Sequence, residues 1–343
     1  MNAMILEKIA LFRKNRTPLE PADLPVPVPG TGEILIKVSA CGVCHTELDE
    51  IEGRTPPSRF PMILGHQIVG HVVEPGKGSK KFRAGDRVGV GWIHSACGEC
   101  FFCQTGRENL CTAFKATGRD AHGGYAEYTA IPEKSAYAIP ECFSDGEAAP
   151  LLCAGAIGYR SLRLTNLENG RNLGLTGFGA SAHLVLKMVR FLYPDSGIFV
   201  FARSEKERDF ARELGAVWSG DTTASSPEKL QAIIDTTPVW KPVTEALKNL
   251  ERGGRLVINA IRKEEGDKSC LLSLNYPAQL WLEKEIKSVA NVTRRDIEDF
   301  LQIASEIDIR PKIEAYSLKE ANRALCEVKD GKGTGAKVLI IDG

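Results

Sequence analysis

The sequence predicts an α/β protein in two parts, a β-rich unit first and a doubly wound parallel sheet after it. Three observations carry that reading. Short apolar–polar alternations, broken by Gly and Pro, run to about residue 150. From about residue 170 strand and helix patterns alternate, as they do in a parallel sheet with covered faces. A glycine-rich turn opens that second pattern, and 343 residues suffice for two separate cores.

Along the chain, Pro21, Pro25, Pro27 and Pro29 forbid helix and predict an extended connector. Residues 33–38, EILIKV, alternate as a strand, and 87–92 and 125–131 read the same way. In the second part a strand precedes the turn, a helix runs from Ser181 to about Leu192, and 197–204 carries the next strand to its end. Ser204 and Glu207 are spaced as a capping box before Phe210 and Leu214. Gly253 and Gly254 are expected to stop a helix ahead of the strand 255–258. Residues 296–307 form an amphipathic helix burying Ile297, Phe300, Leu301 and Ala304. Ser317 and Glu320 cap a helix that ends near Gly331, and 337–341 is a terminal strand. There is no internal repeat or low-complexity segment.

Two sets of possible metal ligands stand out. Cys97, Cys100, Cys103 and Cys111 obey C-x2-C-x2-C-x7-C, in a stretch with little that folds unaided. Four thiolates at such spacing satisfy a tetrahedral zinc and leave no open position, so the site is structural. A disulfide pair is the alternative, but the N-terminus shows no export pattern and a reducing compartment is expected. The second set is Cys44, in C-G-V-C-H-T, His66, in G-H-Q-I-V-G, and Cys153, in L-L-C-A-G. Two thiolates and one imidazole leave zinc a fourth position for water or substrate. Singly each is weak evidence; their order along the chain carries the weight. Cys41, Cys142, Cys270 and Cys326 are left as ordinary thiols.

With these motifs in this order, nearly the whole chain resembles the zinc-containing alcohol dehydrogenases of the medium-chain dehydrogenase/reductase superfamily, near the cinnamyl-type branch. The resemblance implies a GroES-like catalytic domain over 1–150, a Rossmann domain over 151–289, and a return segment, 290–343, completing the catalytic domain. It implies two zinc ions per chain and reversible hydride transfer between an alcohol carbon and a nicotinamide. Thr46 stands where the family places the hydroxyl that takes the substrate proton. Trp92 matches a pocket-lining position, which with Thr46 suggests primary aliphatic or aromatic alcohols and aldehydes. Several positions depart from the pattern. Glu47 replaces an Asp that orients the histidine ligand, Gln67 replaces an acid after it, and Asp49 replaces a relay histidine. Ala336 falls where many relatives have an arginine near the cofactor, and Lys337 beside it is not an evident substitute.

The glycine turn is L-G-L-T-G-F-G-A-S-A. Gly177 permits the tight turn, Gly179 lets backbone amides approach a pyrophosphate, and Ala182 takes the third glycine's place in helix–strand packing. At the end of the next strand an acid would hold the ribose hydroxyls of NAD. Here Ala202 is followed by Arg203 and Ser204, so a cation and a hydroxyl replace that repulsion, and NADP(H) is favoured over NAD(H).

Lys plus Arg and Asp plus Glu are equal at 44 each, which argues against nucleic acid or an anionic membrane as partner. The expected partner is a small alcohol or aldehyde, in a cytoplasmic homodimer or homotetramer. Two alternatives stand beside this reading. A zinc polyol or sugar dehydrogenase would favour an acid among the ligands. A non-catalytic nucleotide-binding scaffold would have lost one of Cys44, His66, Cys153 or Thr46, and all four are present.

Overall fold

The computed structural model describes residues 1–333 and 335–341. The chain divides into two compact units, Met1–Cys153 with Thr293–Gly343, and Ala154–Val292.

The first unit is built on a sheet of seven strands among the described residues. Its order is Ala136–Ala138, Arg87–Val90, Gln67–Pro75, Glu33–Val43, Ala336–Ile340 and Ile313–Ser317, with Tyr128–Pro132 also paired to Glu33–Val43. The alternating stretch at 33–38 thus continues to Val43. Ile34, Ile36 and Val38 enter the core as the period of two requires, and Leu35 and Cys41 are buried too, as suits a central strand. Pro21 lies in a short strand, Leu19–Asp23, at the outside of a separate three-stranded sheet, where a missing N–H costs little. The C-terminal strand returns to this unit, pairing antiparallel with Glu33–Val43 so that Val338 faces Gly42. The helix Arg294–Glu306 starts at a Thr293–Asp296 capping box and buries Ile297, Phe300, Leu301 and Ala304.

The second unit is a six-stranded parallel sheet ordered Trp218–Gly220, Ile198–Phe201, Leu173–Thr176, Leu230–Asp235, Leu250–Ile258, Glu285–Ser288. The chain builds outward from Leu173–Thr176, then returns to its other side with Leu230–Asp235. The carboxyl ends of those two strands therefore mark the point where the order reverses, the usual crevice for a ligand in an open α/β sheet. Their residues are buried on both faces, as expected of a covered parallel sheet.

One expectation fails here. Gly253 and Gly254 do not stop a helix: Lys241–Asn249 ends before them, and both glycines lie inside the strand Leu250–Ile258. Leu250 is already extended and buried against Leu230, which ends the helix earlier. Gly253, at φ +68, serves an irregularity of the strand, whose register to its neighbour shifts there. No helix among the described residues is long and apolar enough to cross a membrane.

Candidate metal centre and nucleotide turn

Where the central strand of the first unit ends, Cys44 becomes the N-cap of the helix His45–Ile51. The spacing C-x-x-E works as a capping box with a thiol as its cap. The Thr46 N–H donates to Cys44 Sγ at 3.4 Å, and the Cys44 N–H donates to Glu47 Oε2 at 2.9 Å. The other oxygen of Glu47 lies 2.7 Å from His66 Nδ1, and both side chains are buried. One carboxylate therefore fixes the backbone of Cys44 and the ring of His66 together. It leaves His66 Nε2 directed at Cys44 Sγ, 3.9 Å away. Glu47 spans both contacts despite its extra methylene.

Cys153 arrives on a π-helical turn, Leu151–Gly155, directly after the helix containing Pro150. Proline removes one rung of hydrogen bonding, and such π turns recur at functional sites. The Sγ of Cys44, the Sγ of Cys153 and a ring nitrogen of His66 all lie within 4.8 Å of one another. A tetrahedral zinc with ordinary Zn–S and Zn–N bonds holds such atoms about 3.6 Å apart, so these donors suit the ion with a small inward adjustment. Their electrostatics point the same way. The Cys44 thiol is pushed well up by sharing a hydrogen bond with Cys153, then by burial and Glu47. Burial opposes a charge on His66, yet Glu47 and Cys44 together hold its pKa well above the ordinary value. In both cases a proton stands where the anionic donor set draws a cation.

The second cluster is made differently. Cys97, Cys100, Cys103 and Cys111 are mutually within the same limit, with Cys97 Sγ 3.8 Å from Cys103 Sγ and 3.5 Å from Cys111 Sγ. Those spacings suit a four-thiolate zinc. Between residues 94 and 115 only Glu108 and Cys111 are buried. Backbone N–H groups of Cys100 and Glu99 pull the Cys97 thiol down to about 6, while burial leads in pushing Cys103 up to about 12. Glu108 accepts from the Arg294 N–H at 2.7 Å, tying the lobe to the helix Arg294–Glu306.

The remaining site residues occupy varied surroundings. The Trp92 ring stands edge-on to His66 with centroids 5.0 Å apart and is 6% exposed. Gln67 is buried and lies over Gly42, whose missing Cβ would sit 2.5 Å from its Oε1. Thr46 is half-buried on the first turn of its helix. The Asp49 carboxylate is buried in an ion pair with Arg54. Lys337 is buried and bound to Glu314, so it is no replacement for an arginine at Ala336.

In the second unit Gly177 has φ +76, as its turn requires. Gly179 is the N-cap of the helix Ala180–Leu192 with no side chain capping it, and the space where its Cβ would lie is open. A phosphate placed there would meet the N-terminal end of that helix. Ala182 is buried, as helix–strand packing asks. Arg203 is exposed, but the hydroxyl of Ser204 is not free. It accepts from the Glu207 N–H at 3.2 Å and donates to that carboxylate at 2.9 Å, capping the helix Glu205–Glu213. The hydroxyl expected to meet a phosphate is thus already engaged.

Four residues escaped the sequence reading. Glu50, three after Glu47 and so on the same helix face, is buried with no hydrogen-bond partner among the described residues. Burial first, then Glu47, raises its pKa well above the usual carboxyl range. Arg119 stacks over Trp92 at 5.6 Å, Arg54 holds Asp49, and Arg208 donates to the carbonyls of Ala202 and Arg203, each at 2.8 Å. Only Glu50 left a signal, its spacing of three from Glu47.

Residues 30–141 match the family described as the alcohol dehydrogenase GroES-like domain. The probable alcohol dehydrogenase AdhA of Mycobacterium tuberculosis is 42% identical over 329 residues, covering 94% of this chain and 93% of that protein. The chain belongs to the alcohol dehydrogenases of the medium-chain dehydrogenase/reductase superfamily. An alcohol dehydrogenase of Geobacillus stearothermophilus is 32% identical over 97% of this chain and 98% of its own length. Among solved structures, AibC superposes with a TM-score of 0.89 at 24% identity, covering 100% of this chain and 96% of that one. CAD from Helicobacter pylori, complexed with NADP(H), gives 0.83 at 23%, covering 99% and 97%. At such identities these two structures speak to the fold of this dehydrogenase.

Proposed function

We propose that this alcohol dehydrogenase is zinc-dependent, acts on primary aliphatic or aromatic alcohols and their aldehydes, and prefers NADP(H) to NAD(H). The observation that carries the reading is the convergence of Cys44, His66 and Cys153 at one spot, with Glu47 on the far nitrogen of the imidazole. When bound, zinc supplies Lewis acidity toward the substrate oxygen, and the nicotinamide supplies or accepts hydride. The protein's own residues do the rest. Glu47 keeps His66 Nε2 turned to the donor set, and Cys97, Cys100, Cys103 and Cys111 hold a second, structural zinc. Thr46, two residues from Cys44, relays the substrate's hydroxyl proton: in oxidation it accepts that proton while passing its own on toward Asp49, and in reduction the path runs in reverse. Asp49, with Arg54 on its carboxylate, stands at the far end of that proton path. Trp92 contributes an apolar wall beside His66.

Support for NADP(H) lies just past the strand Ile198–Phe201, where Ala202 stands in place of the ribose-holding acid and the exposed Arg203 has Arg208 close behind it. Ser204 drops from that argument, because its hydroxyl caps a helix. A panel of alcohols and aldehydes assayed with NADPH and with NADH, alongside metal analysis, tests the whole reading. Two zinc ions per chain and faster turnover of primary alcohols are expected, while a preference for polyols would sink the substrate assignment. Arg203→Ala is expected to raise the KM for NADPH roughly ten- to a hundredfold and leave that for NADH nearly unchanged, the worth of one charge-assisted contact. Equal effects on both cofactors would remove the argument for NADP(H).

A further inference from the structure

At the carboxyl ends of Leu173–Thr176 and Leu230–Asp235, where the strand order reverses, lies a buried charged network outside the proposed reaction path. Asp235 is fully buried. Its Oδ1 accepts from Thr176 Oγ1 at 2.6 Å and from Thr237 Oγ1 at 2.8 Å, and its Oδ2 takes the ammonium of Lys263. Lys263 comes from the loop after the strand Leu250–Ile258, and its side chain is 6% exposed. Its Nζ also donates to the carbonyls of Thr237 at 2.7 Å and Val239 at 3.0 Å. All three of its N–H bonds are thereby used inside the protein.

The network reaches the glycine turn. Thr176 directly precedes Gly177, and its carbonyl accepts from the N–H and the hydroxyl of Thr236, each at 3.0 Å. Thr236 and Thr237 pack so closely on Gly177 that an added Cβ would lie 2.9 and 3.0 Å from their side chains. The same lysine loop is held at two further points. The Glu264 N–H donates to the Pro238 carbonyl at 2.7 Å, and Asp267 accepts from the N–H groups of Trp240 and Lys241 at 3.0 and 2.8 Å.

We propose that Lys263 is a positioning residue for the dinucleotide: through Asp235, Thr176 and Thr237 it sets the turn at Gly177 and locks the loop after Asp235 beside it. A buried ion pair adds little net stability over an apolar replacement of similar volume, so its presence at the switch point is better explained by geometry than by stability. The inference rests on the reading of Gly177 and Gly179 as the pyrophosphate turn.

The test uses the full-length, zinc-loaded protein. Lys263→Met alone strands a buried carboxylate and risks misfolding, so the deciding variant is Lys263→Met with Asp235→Asn, which keeps the acceptor for both threonines. Arg255→Leu, which loses an ion pair to Glu285 elsewhere in the same sheet, controls for general loosening. Binding of NADPH and NADH is followed by nucleotide fluorescence, with kcat and KM at saturating alcohol. Displacing a turn by a fraction of an ångström is expected to weaken both cofactors about tenfold, by similar factors. The loss should fall on KM rather than kcat, with Arg255→Leu close to the parent. A folded double variant that binds both cofactors as the parent does overturns the proposal, as does an equal loss in Arg255→Leu. Failure of the parent itself to bind either dinucleotide would instead sink the reading of the glycine turn, and this inference with it.

Discussion

The two thiol clusters of the first unit differ in what holds them together. Cys97, Cys100, Cys103 and Cys111 are close in sequence and lie in an exposed lobe with almost no buried side chain of its own. Cys44, His66 and Cys153 are far apart in sequence and come from a helix cap, the residue just before the strand Gln67–Pro75 and a π turn. On the proposed reading the lobe would depend on its metal for order, whereas the buried site would be ordered by the fold and would use its metal for chemistry.

The largest effect expected from that contrast is a crossed pair of losses. Cys44→Ser should abolish turnover while the thermal transition stays near the parent's. Cys100→Ser should lose a zinc and lower Tm by several degrees, since roughly 1 kcal/mol moves a unit of about 200 residues, such as the first one, by about 2–4 °C. Calorimetry and metal analysis of the two variants side by side decide it. If both lost stability and activity to the same degree, the division of roles would be wrong.

A smaller effect is expected at Glu47, whose two oxygens serve the cap and the imidazole. Glu47→Gln should weaken metal retention at the buried site, or activity, by about ten- to a hundredfold, as outer partners of ligating histidines usually do. Zinc content after dialysis should fall from two ions toward one, with the thermal stability of the lobe unaffected. Loss from the four-cysteine lobe instead would break the comparison.

The smallest effect concerns Glu50. Its pKa is raised, chiefly by burial. The folded chain therefore keeps a proton that the unfolded chain releases, so this group's contribution is intact below the ordinary carboxyl range and is lost as pH rises above it. Glu50→Gln has no proton to release. It should match the parent in acid and become the more stable protein as pH climbs from about 5 to 8. Thermal unfolding across that range checks the sign, and a gain that shrinks with rising pH would mean that Glu50 is ionised and paired.

How legible each feature was depends on how local it is. The alternation at 33–38, the apolar face of the amphipathic helix read at 296–307 and the spacing of the four lobe cysteines all rest on neighbours within a few residues, and the sequence shows them directly. The glycine pair 253–254 misled because a turn signal looks the same after a helix as inside a bulged strand; burial of Leu250 against Leu230 decided between them. Ser204 misled in another way. Its spacing to Glu207 announced the cap, and a capped hydroxyl has no donor left for a phosphate.

The sequence alone therefore determined the fold class, the division into a β-rich part and an alternating strand–helix part, and the residue types available for metal and nucleotide, because periodicity and short spacing encode these. Only the tertiary structure decided which distant groups meet. It put Arg119 over Trp92, the Arg294 N–H on Glu108, and Lys263 on Asp235 beside the glycine turn. Most of these contacts join elements that a reader of the chain would not pair, and their partners are chosen by strand order and packing rather than by any local pattern.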